Sequence, residues 1–352
     1  MPSIIERLLA ERGVLLADGA TGSNLFERGL QTGDAPELWN ARHPRRIASQ
    51  YQAFIDAGSD IILTNTFGGS RQRLQRHAAA HRVAELNRAG AAIARECVSR
   101  AGRQILIGGS MGPSGEIMQP LGALSHAEAA DAFAEQAAAL KDGGADVFWI
   151  ETMSSREEVQ AAVDGAARVG LPIVATFSVD TNGRTMMGLA PADIVALSAR
   201  MPRAPDAIGA NCGVGASELI AATVNMRHAG EQQGLAPLLV AKANCGVPQY
   251  IDGKITYSGD AQVMAEYARL AVDAGARIIG GCCGTTPAHI AAMRKALDGH
   301  RRGDLPTLEV IESRLGAVSA GARAQLRGEM SIAAGAVGGG RAESRRKGRR
   351  RK

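Results

Sequence analysis

Two adjacent cysteines sit in the run Gly280-Gly281-Cys282-Cys283-Gly284-Thr285-Thr286-Pro287, and a third closes Gly209-Ala210-Asn211-Cys212. Thiolates are soft ligands, and three of them on one ion leave the fourth tetrahedral position open, as in a catalytic rather than a structural zinc site. Neighbouring residues of a strand point to opposite faces, so Cys282 and Cys283 reach one point only if the strand ends there. The flanking glycines permit that distortion. Inert buried cysteines, or a redox-active vicinal disulfide in a redox- or metal-responsive binding protein, are the other readings of the pair. A two-cysteine switch has no need of Cys212. The run Ala243-Asn244-Cys245-Gly246-Val247 nearly repeats Ala210-Asn211-Cys212-Gly213-Val214, so by spacing alone Cys245 could compete for the metal. Cys97 falls inside a helical pattern and reads as an inert core or boundary residue.

Bringing distant cysteines together requires a scaffold that collects strand ends. Short apolar runs predict strands at Val14–Asp18, Asp60–Phe67, Ile105–Ser110, Asp146–Thr152, Pro172–Ser178, Ala207–Cys212, Pro237–Cys245 and Arg277–Cys283. Their nearly continuous apolar character suits parallel strands buried on both faces. Helical patterns lie between them, at Arg45–Ala57, His126–Asp142, Arg156–Val169, Ala216–Gln233 and Asp260–Ala274. Three helix-to-strand joins read alike, around Gly58, Gly143-Gly144 and Gly275, where a glycine can take the left-handed conformation that ends a helix.

Eight such units over roughly 290 residues predict a closed (β/α)8 barrel of the TIM type. Asp18, Asn65, Glu151, Ser178, Cys212, Asn244 and Cys282–Cys283 all fall at the C-terminal ends of the strands, the face that carries the active site in this architecture. The expected organisation is a barrel over residues 1–300, a helical extension over 301–332 with one helix at Leu308–Arg327, and a disordered basic tail over 333–352.

With 45% hydrophobic and 21% charged residues in a 352-residue chain, disorder and a disulfide-stapled miniprotein are both excluded. No apolar run approaches the roughly 20 residues that span a bilayer. The first residues, with Glu6 and Glu11, lack a secretion-signal pattern, which makes the cytoplasm the expected location. The overall charge of +5 misleads, because Ala336–Lys352 alone carries +7 and residues 1–335 carry −2. The body is therefore no nucleic-acid binder; any weak contact with nucleic acid or an acidic partner would come through the tail and depend steeply on salt.

Six blocks in order resemble the zinc-dependent homocysteine S-methyltransferases, a group that holds betaine–homocysteine methyltransferases and the homocysteine module of cobalamin-dependent methionine synthase. They are Asp18-Gly19-Ala20-Thr21-Gly22, Leu63-Thr64-Asn65-Thr66-Phe67-Gly68, Gly112-Pro113-Ser114-Gly115, Glu151-Thr152, Asn211-Cys212 and Gly281-Cys282-Cys283-Gly284-Thr285-Thr286-Pro287. The resemblance implies Zn2+ held by Cys212, Cys282 and Cys283, with Cys245 outside the set and Asn244 or water as the fourth ligand without substrate. It implies that Asp18 and Glu151 meet the homocysteine ammonium, and the amides of Gly19, Ala20 and Thr21 could cradle the carboxylate. Three thiolates leave the site at −1, and the excess electron density keeps the substrate sulfur nucleophilic toward a methyl group on a cationic centre.

The donor is read from what surrounds the sulfur. Aromatic faces hold quaternary ammonium groups, and Trp39, Phe67, Phe148, Trp149 and Tyr250 are the aromatics near loops or strand ends. Two cage positions of the animal betaine enzymes match about Gly68 and Thr152, which departs from that pocket. The stretch Asp18–Phe26 through Gly33–Asn40, with the basic tail, looks most like stand-alone bacterial betaine–homocysteine methyltransferases. Glycine betaine is the expected donor; the alternative is a split methionine synthase fed by a methylcobalamin protein.

Overall fold

The computed structural model describes residues 2–180, 182–251 and 254–329, so the tail expected over 333–352 lies outside the described residues. Ten strands run in chain order: β1 (Leu15–Leu16), β2 (Ile61–Leu63), β3 (Leu106–Met111), β4 (Val147–Met153), β5 (Ile173–Ser178), β6 (Ala207–Cys212), β7 (Leu239–Ala243), β8 (Pro248–Ile251), β9 (Lys254–Tyr257) and β10 (Ala276–Gly281). Eight pair in the order β1-β10-β7-β6-β5-β4-β3-β2, each pair parallel. A further parallel bridge between Ala17 and Ile61 joins β1 to β2 and closes the sheet. The result is the (β/α)8 barrel expected from the repeated units.

Asp60 ties the closing seam. Its backbone N–H donates to Leu16 O at 2.6 Å and its carboxylate accepts from the Leu16 N–H at 2.9 Å. Arg12, Arg294 and Arg103 surround that carboxylate at 2.7, 3.3 and 3.7 Å.

The two-residue period of a strand decides what fills the barrel. On β4, Val147, Trp149 and Glu151 share the inner face, while Phe148 and Ile150 pack outward among the helices. The same alternation places Leu106 and Ser110, Ala207 and Asn211, Val240 and Lys242, and Ile278 and Cys282 on common faces. These strands thus start apolar and end polar on the inside. The apolar layers form one cluster with Ile5, Leu8 and Leu9 of the helix Ile4–Arg12, which plugs the N-terminal end of the barrel. Burying three such side chains is worth about 1.5–3 kcal/mol each. Small residues make room for large ones: a Cβ on Gly108 would lie 2.5 Å from Leu63 Cδ2 and 3.4 Å from Trp149, and one on Gly280 would lie 3.1 Å from Lys242 Cγ.

The three alike joins do turn through left-handed glycines, with φ of +98° at Gly58, +100° at Gly144 and +109° at Gly275. Two expectations need correction. The single helix expected over Leu308–Arg327 is two, Leu308–Leu315 and Ala320–Leu326. Gly316, at φ +98°, ends the first, and the Ser319 hydroxyl caps the second by accepting from the Ala322 N–H. Both pack on the helix Ala216–Gln232 through Ile311, Val318 and Ala322. The antiparallel hairpin β8–β9 was not foreseen, because its strands of four residues are too short for periodicity to separate them from a loop. Among the described residues, no helix is long and apolar enough to cross a membrane.

Candidate functional site

Sheet β10 stops at Gly281, as the paired cysteines require. The Cys282 N–H still reaches Ala243 O on β7 at 2.6 Å, after which the Cys283 N–H turns to Asn244 Oδ1 at 2.9 Å. Gly284 follows at φ +77°, and the Thr285 N–H closes the turn on Cys282 O at 3.1 Å. No larger residue fits this turn: a Cβ on Gly281 would sit 2.2 Å from Thr285 Cγ2, and one on Gly284 2.3 Å from the Tyr257 ring.

Across the mouth, Cys212 ends β6 in the left-handed region at φ +63°, a conformation costing a β-carbon-bearing residue roughly 1–3 kcal/mol. The three sulfurs come within 4.8 Å of one another. Four-coordinate zinc with about 2.3 Å bonds to sulfur needs thiolates about 3.8 Å apart, so this cluster fits such an ion. Two carboxamides face the sulfurs as donors, Asn244 Nδ2 at 3.6 Å from Cys212 Sγ and Asn211 Nδ2 at 3.8 Å from Cys282 Sγ. The thiols of Cys282 and Cys283 hold Cys212 as a thiolate, pulling it down to about 3, and in turn Cys212 pushes Cys282 up to about 11 and Cys283 well above its usual range. The three sulfurs thus compete for protons at close range, an arrangement that suits a cation.

Cys245 does not join them. It is fully buried, with Sγ 2.9 Å from Gly259 O and 3.5 Å from His289 Nε2, and burial pushes its thiol up to about 11. Asn244 is placed between the two cysteine loops, its amide donating to Gly213 O at 2.7 Å while its oxygen accepts from Cys283. Cys97 is buried in the main core cluster.

Glu151 stands beside the sulfurs on β4, where the register with β5 slips between Ile150 and Met153. Thr152 takes φ +63° there, and its N–H is held by Asn211 Oδ1 at 2.8 Å. One Glu151 oxygen accepts from the Ser110 hydroxyl at 2.5 Å; among the described residues the other has no protein donor. Burial, and next the Cys282 sulfur, push this carboxyl up to about 7. Asp18 is also buried, and desolvation raises it despite a 3.0 Å ion pair with Lys242 Nζ and a 2.8 Å bond from the Leu63 N–H.

A cavity of about 490 Å³ opens over these groups. Glu151, Lys242, Gly19, Ala20, Thr21 and the three cysteines line it, whereas Asp18 lies behind Lys242 and does not. Of the three backbone amides, that of Ala20 is taken by Thr285 O at 3.0 Å; those of Gly19 and Thr21 have no protein acceptor among the described residues. Of the four aromatics whose side chains are described, Phe67 alone lines the cavity. Phe148 and Trp149 are buried in the barrel wall, Trp39 is buried against His43 and Arg46, and the side chain of Tyr250 lies outside the described part.

A sequence profile described as homocysteine S-methyltransferase matches residues 15–297. The chain belongs to this family. It is 32% identical over 312 residues to the methionine synthase of Mycobacterium tuberculosis, covering 84% of this chain and 25% of that protein. Hence the chain spans about a quarter of the length of the curated methionine synthases it matches. It is 29% identical over 320 residues to betaine–homocysteine S-methyltransferase 1 of Danio rerio, covering 86% and 77%. Among solved structures, the metallated form of the homocysteine methyltransferase MmuM from Escherichia coli superposes with a TM-score of 0.66 at 26% identity, over 83% of this chain and 99% of that one. The family match and the cysteine cluster thus point the same way, since three converging sulfurs could hold a metal.

Several residues at this family's site escaped the sequence reading. Lys242 carried one signal, a lone charge in the apolar strand Leu239–Ala243. Ser110, Asn211 as a sulfur donor, and Tyr257 on the hairpin carried none, since their roles depend on partners 41 to 71 residues away or on an element not foreseen.

Proposed function

We propose that this chain makes methionine by transferring a methyl group from glycine betaine to homocysteine, at a Zn2+ site formed by Cys212, Cys282 and Cys283. The observation that carries the reading is the convergence of three sulfurs from β6 and β10 on a cavity lined by Glu151. Zn2+ held there would supply the Lewis acidity that keeps the substrate thiol deprotonated near neutral pH.

The chain's own groups do the rest. The open oxygen of Glu151 accepts from the homocysteine ammonium, and Ser110 holds the other oxygen in place. Asp18 supports that pocket from behind through Lys242. The free amides of Gly19 and Thr21 receive the carboxylate. Asn211 and Asn244 hold the cysteine loops, and the Asn244 oxygen, which accepts from the Cys283 N–H, has a second lone pair that would be open to the ion without substrate. The homocysteine sulfur then bonds to a betaine methyl carbon while the C–N bond breaks, and the electron pair stays on dimethylglycine.

The test is zinc-loaded protein with homocysteine and glycine betaine alone, which is expected to form methionine and dimethylglycine in equal amounts. A second reading draws on the 32% identity to methionine synthase: the chain is then a homocysteine module supplied by a methylcobalamin protein. Turnover that appears only when such a protein is added decides for it.

Protonation of Glu151 sets a pH dependence. Its acid form carries no charge to pair with an ammonium, and it predominates below about 7. The homocysteine KM is therefore expected to rise as pH falls from 8 to 6, and Glu151→Gln to flatten that profile at a KM raised roughly tenfold or more. An unchanged slope in the variant assigns the dependence to another group.

A further inference from the structure

The part of the cavity lining farthest from Cys212 around the barrel is charged rather than aromatic. It is built from the segment after β2, four strands from β6 in the sheet order, which supplies Phe67, Gly68, Arg73, Arg76 and His77, and from Glu37 in the segment before β2. Glu37 is buried, and its carboxylate accepts from the Gly68 N–H at 2.7 Å. A Cβ on Gly68 would lie 2.9 Å from that carboxylate, so the acid occupies the space that a side chain at this position would fill.

The cations differ in how they are used. Arg76 is spent on Gly115 O at 2.5 Å and on Glu116 at 3.1 Å. Arg73 has neither a hydrogen-bond acceptor nor an ion-pair partner among the described residues, although it lines the cavity. Its guanidinium lies 5.6 Å from the centre of the Phe67 ring. That ring is itself wedged over Gly112, where a Cβ would approach to 2.5 Å. A guanidinium braced on a fixed ring, with its donors unsatisfied, is a ready receptor for a carboxylate.

We infer that Arg73 binds the carboxylate of the methyl donor and so sets its specificity for a donor that carries one, with the buried Glu37 side chain toward the donor's onium end. The inference rests on the betaine reading above and deepens it. A guanidinium on the wall with no acceptor among the described residues matches a small molecule that carries a carboxylate. A donor without the carboxylate leaves Arg73 unpaired.

The test is calorimetric titration of the full, zinc-loaded chain with glycine betaine and with choline, which keeps the trimethylammonium group but lacks the carboxylate. Turnover kinetics are measured alongside. Wild type is expected to bind betaine at least about tenfold more tightly than choline. Arg73→Ala abolishes that preference by weakening betaine binding at least about tenfold, Arg73→Lys restores part of it, and neither shifts the homocysteine KM. Glu37→Gln weakens betaine and choline alike. Betaine turnover with a preference that survives Arg73→Ala overturns the assignment and leaves the donor reading standing. A wild type that neither binds nor turns over betaine overturns both.

Discussion

Replacing Cys282 by alanine is expected to lower metal affinity roughly a thousandfold or more and to abolish methionine formation, with Cys212→Ala and Cys283→Ala doing the same. Each residue supplies one of three sulfurs converging within 4.8 Å, and a tetrahedral site with only two protein ligands holds the ion no better than solvent-exposed thiols do. The informative comparison is Cys245→Ala. That sulfur is buried against Gly259 and His289, so its loss leaves a small cavity and a modest stability cost while metal content stays at one per chain. Metal per chain by elemental analysis, with thermal unfolding to establish that each variant folds, separates the cases. Metal kept in Cys212→Ala but lost in Cys245→Ala would sink the proposed ligand set. A full metal complement after Cys282→Ala would return the vicinal pair to a redox role.

Lys242→Met is the second large effect, expected to cost about 3–5 kcal/mol because it strands the buried carboxylate of Asp18 without its counter-charge. Both side chains are at most 2% exposed, and their 3.0 Å contact is far from solvent screening. Adding Asp18→Asn removes the stranded charge and is expected to recover most of the stability but not the activity, since Glu151 and the sulfurs lose the ammonium beside them. Urea denaturation of the two single variants and the double variant reads the coupling directly. The loss in Lys242→Met shrinks as pH falls. Without Lys242 the folded-state value of Asp18 rises further above its unfolded value, so stability is lost as pH rises toward it and regained below. Additive single effects would mean that the pair is a surface-like contact rather than a coupled buried one.

Lys242 also marks the boundary between what could be read along the chain and what could not. Its type and its place in an apolar strand were visible, but its partner lies 224 residues away, and only barrel closure brings the two together. Asp18 shows the converse. The resemblance assigns it to the substrate ammonium, and the structure sets it behind Lys242, off the cavity wall. Phe148 and Trp149 read as aromatics near a strand end, yet both are sealed in the barrel wall, because strand alternation settles facing and not exposure.

The barrel and the convergence of Cys212 with Cys282 and Cys283 were legible along the chain. Repeated apolar runs punctuated by Gly58, Gly144 and Gly275 are local signals, and strand ends collected on one face follow from that repeat. Spacing left Cys245 in competition with Cys212; the difference lies in direction, one sulfur turned over the mouth by a left-handed backbone and the other turned toward His289. Folding in three dimensions set that direction, together with the Lys242–Asp18 pair, the hairpin that brings Tyr257 against Gly284, and an Arg73 on the cavity wall with no acceptor among the described residues. Side-chain direction and ion pairing depend on which strands become neighbours, and that is a property of the closed sheet rather than of any segment in it.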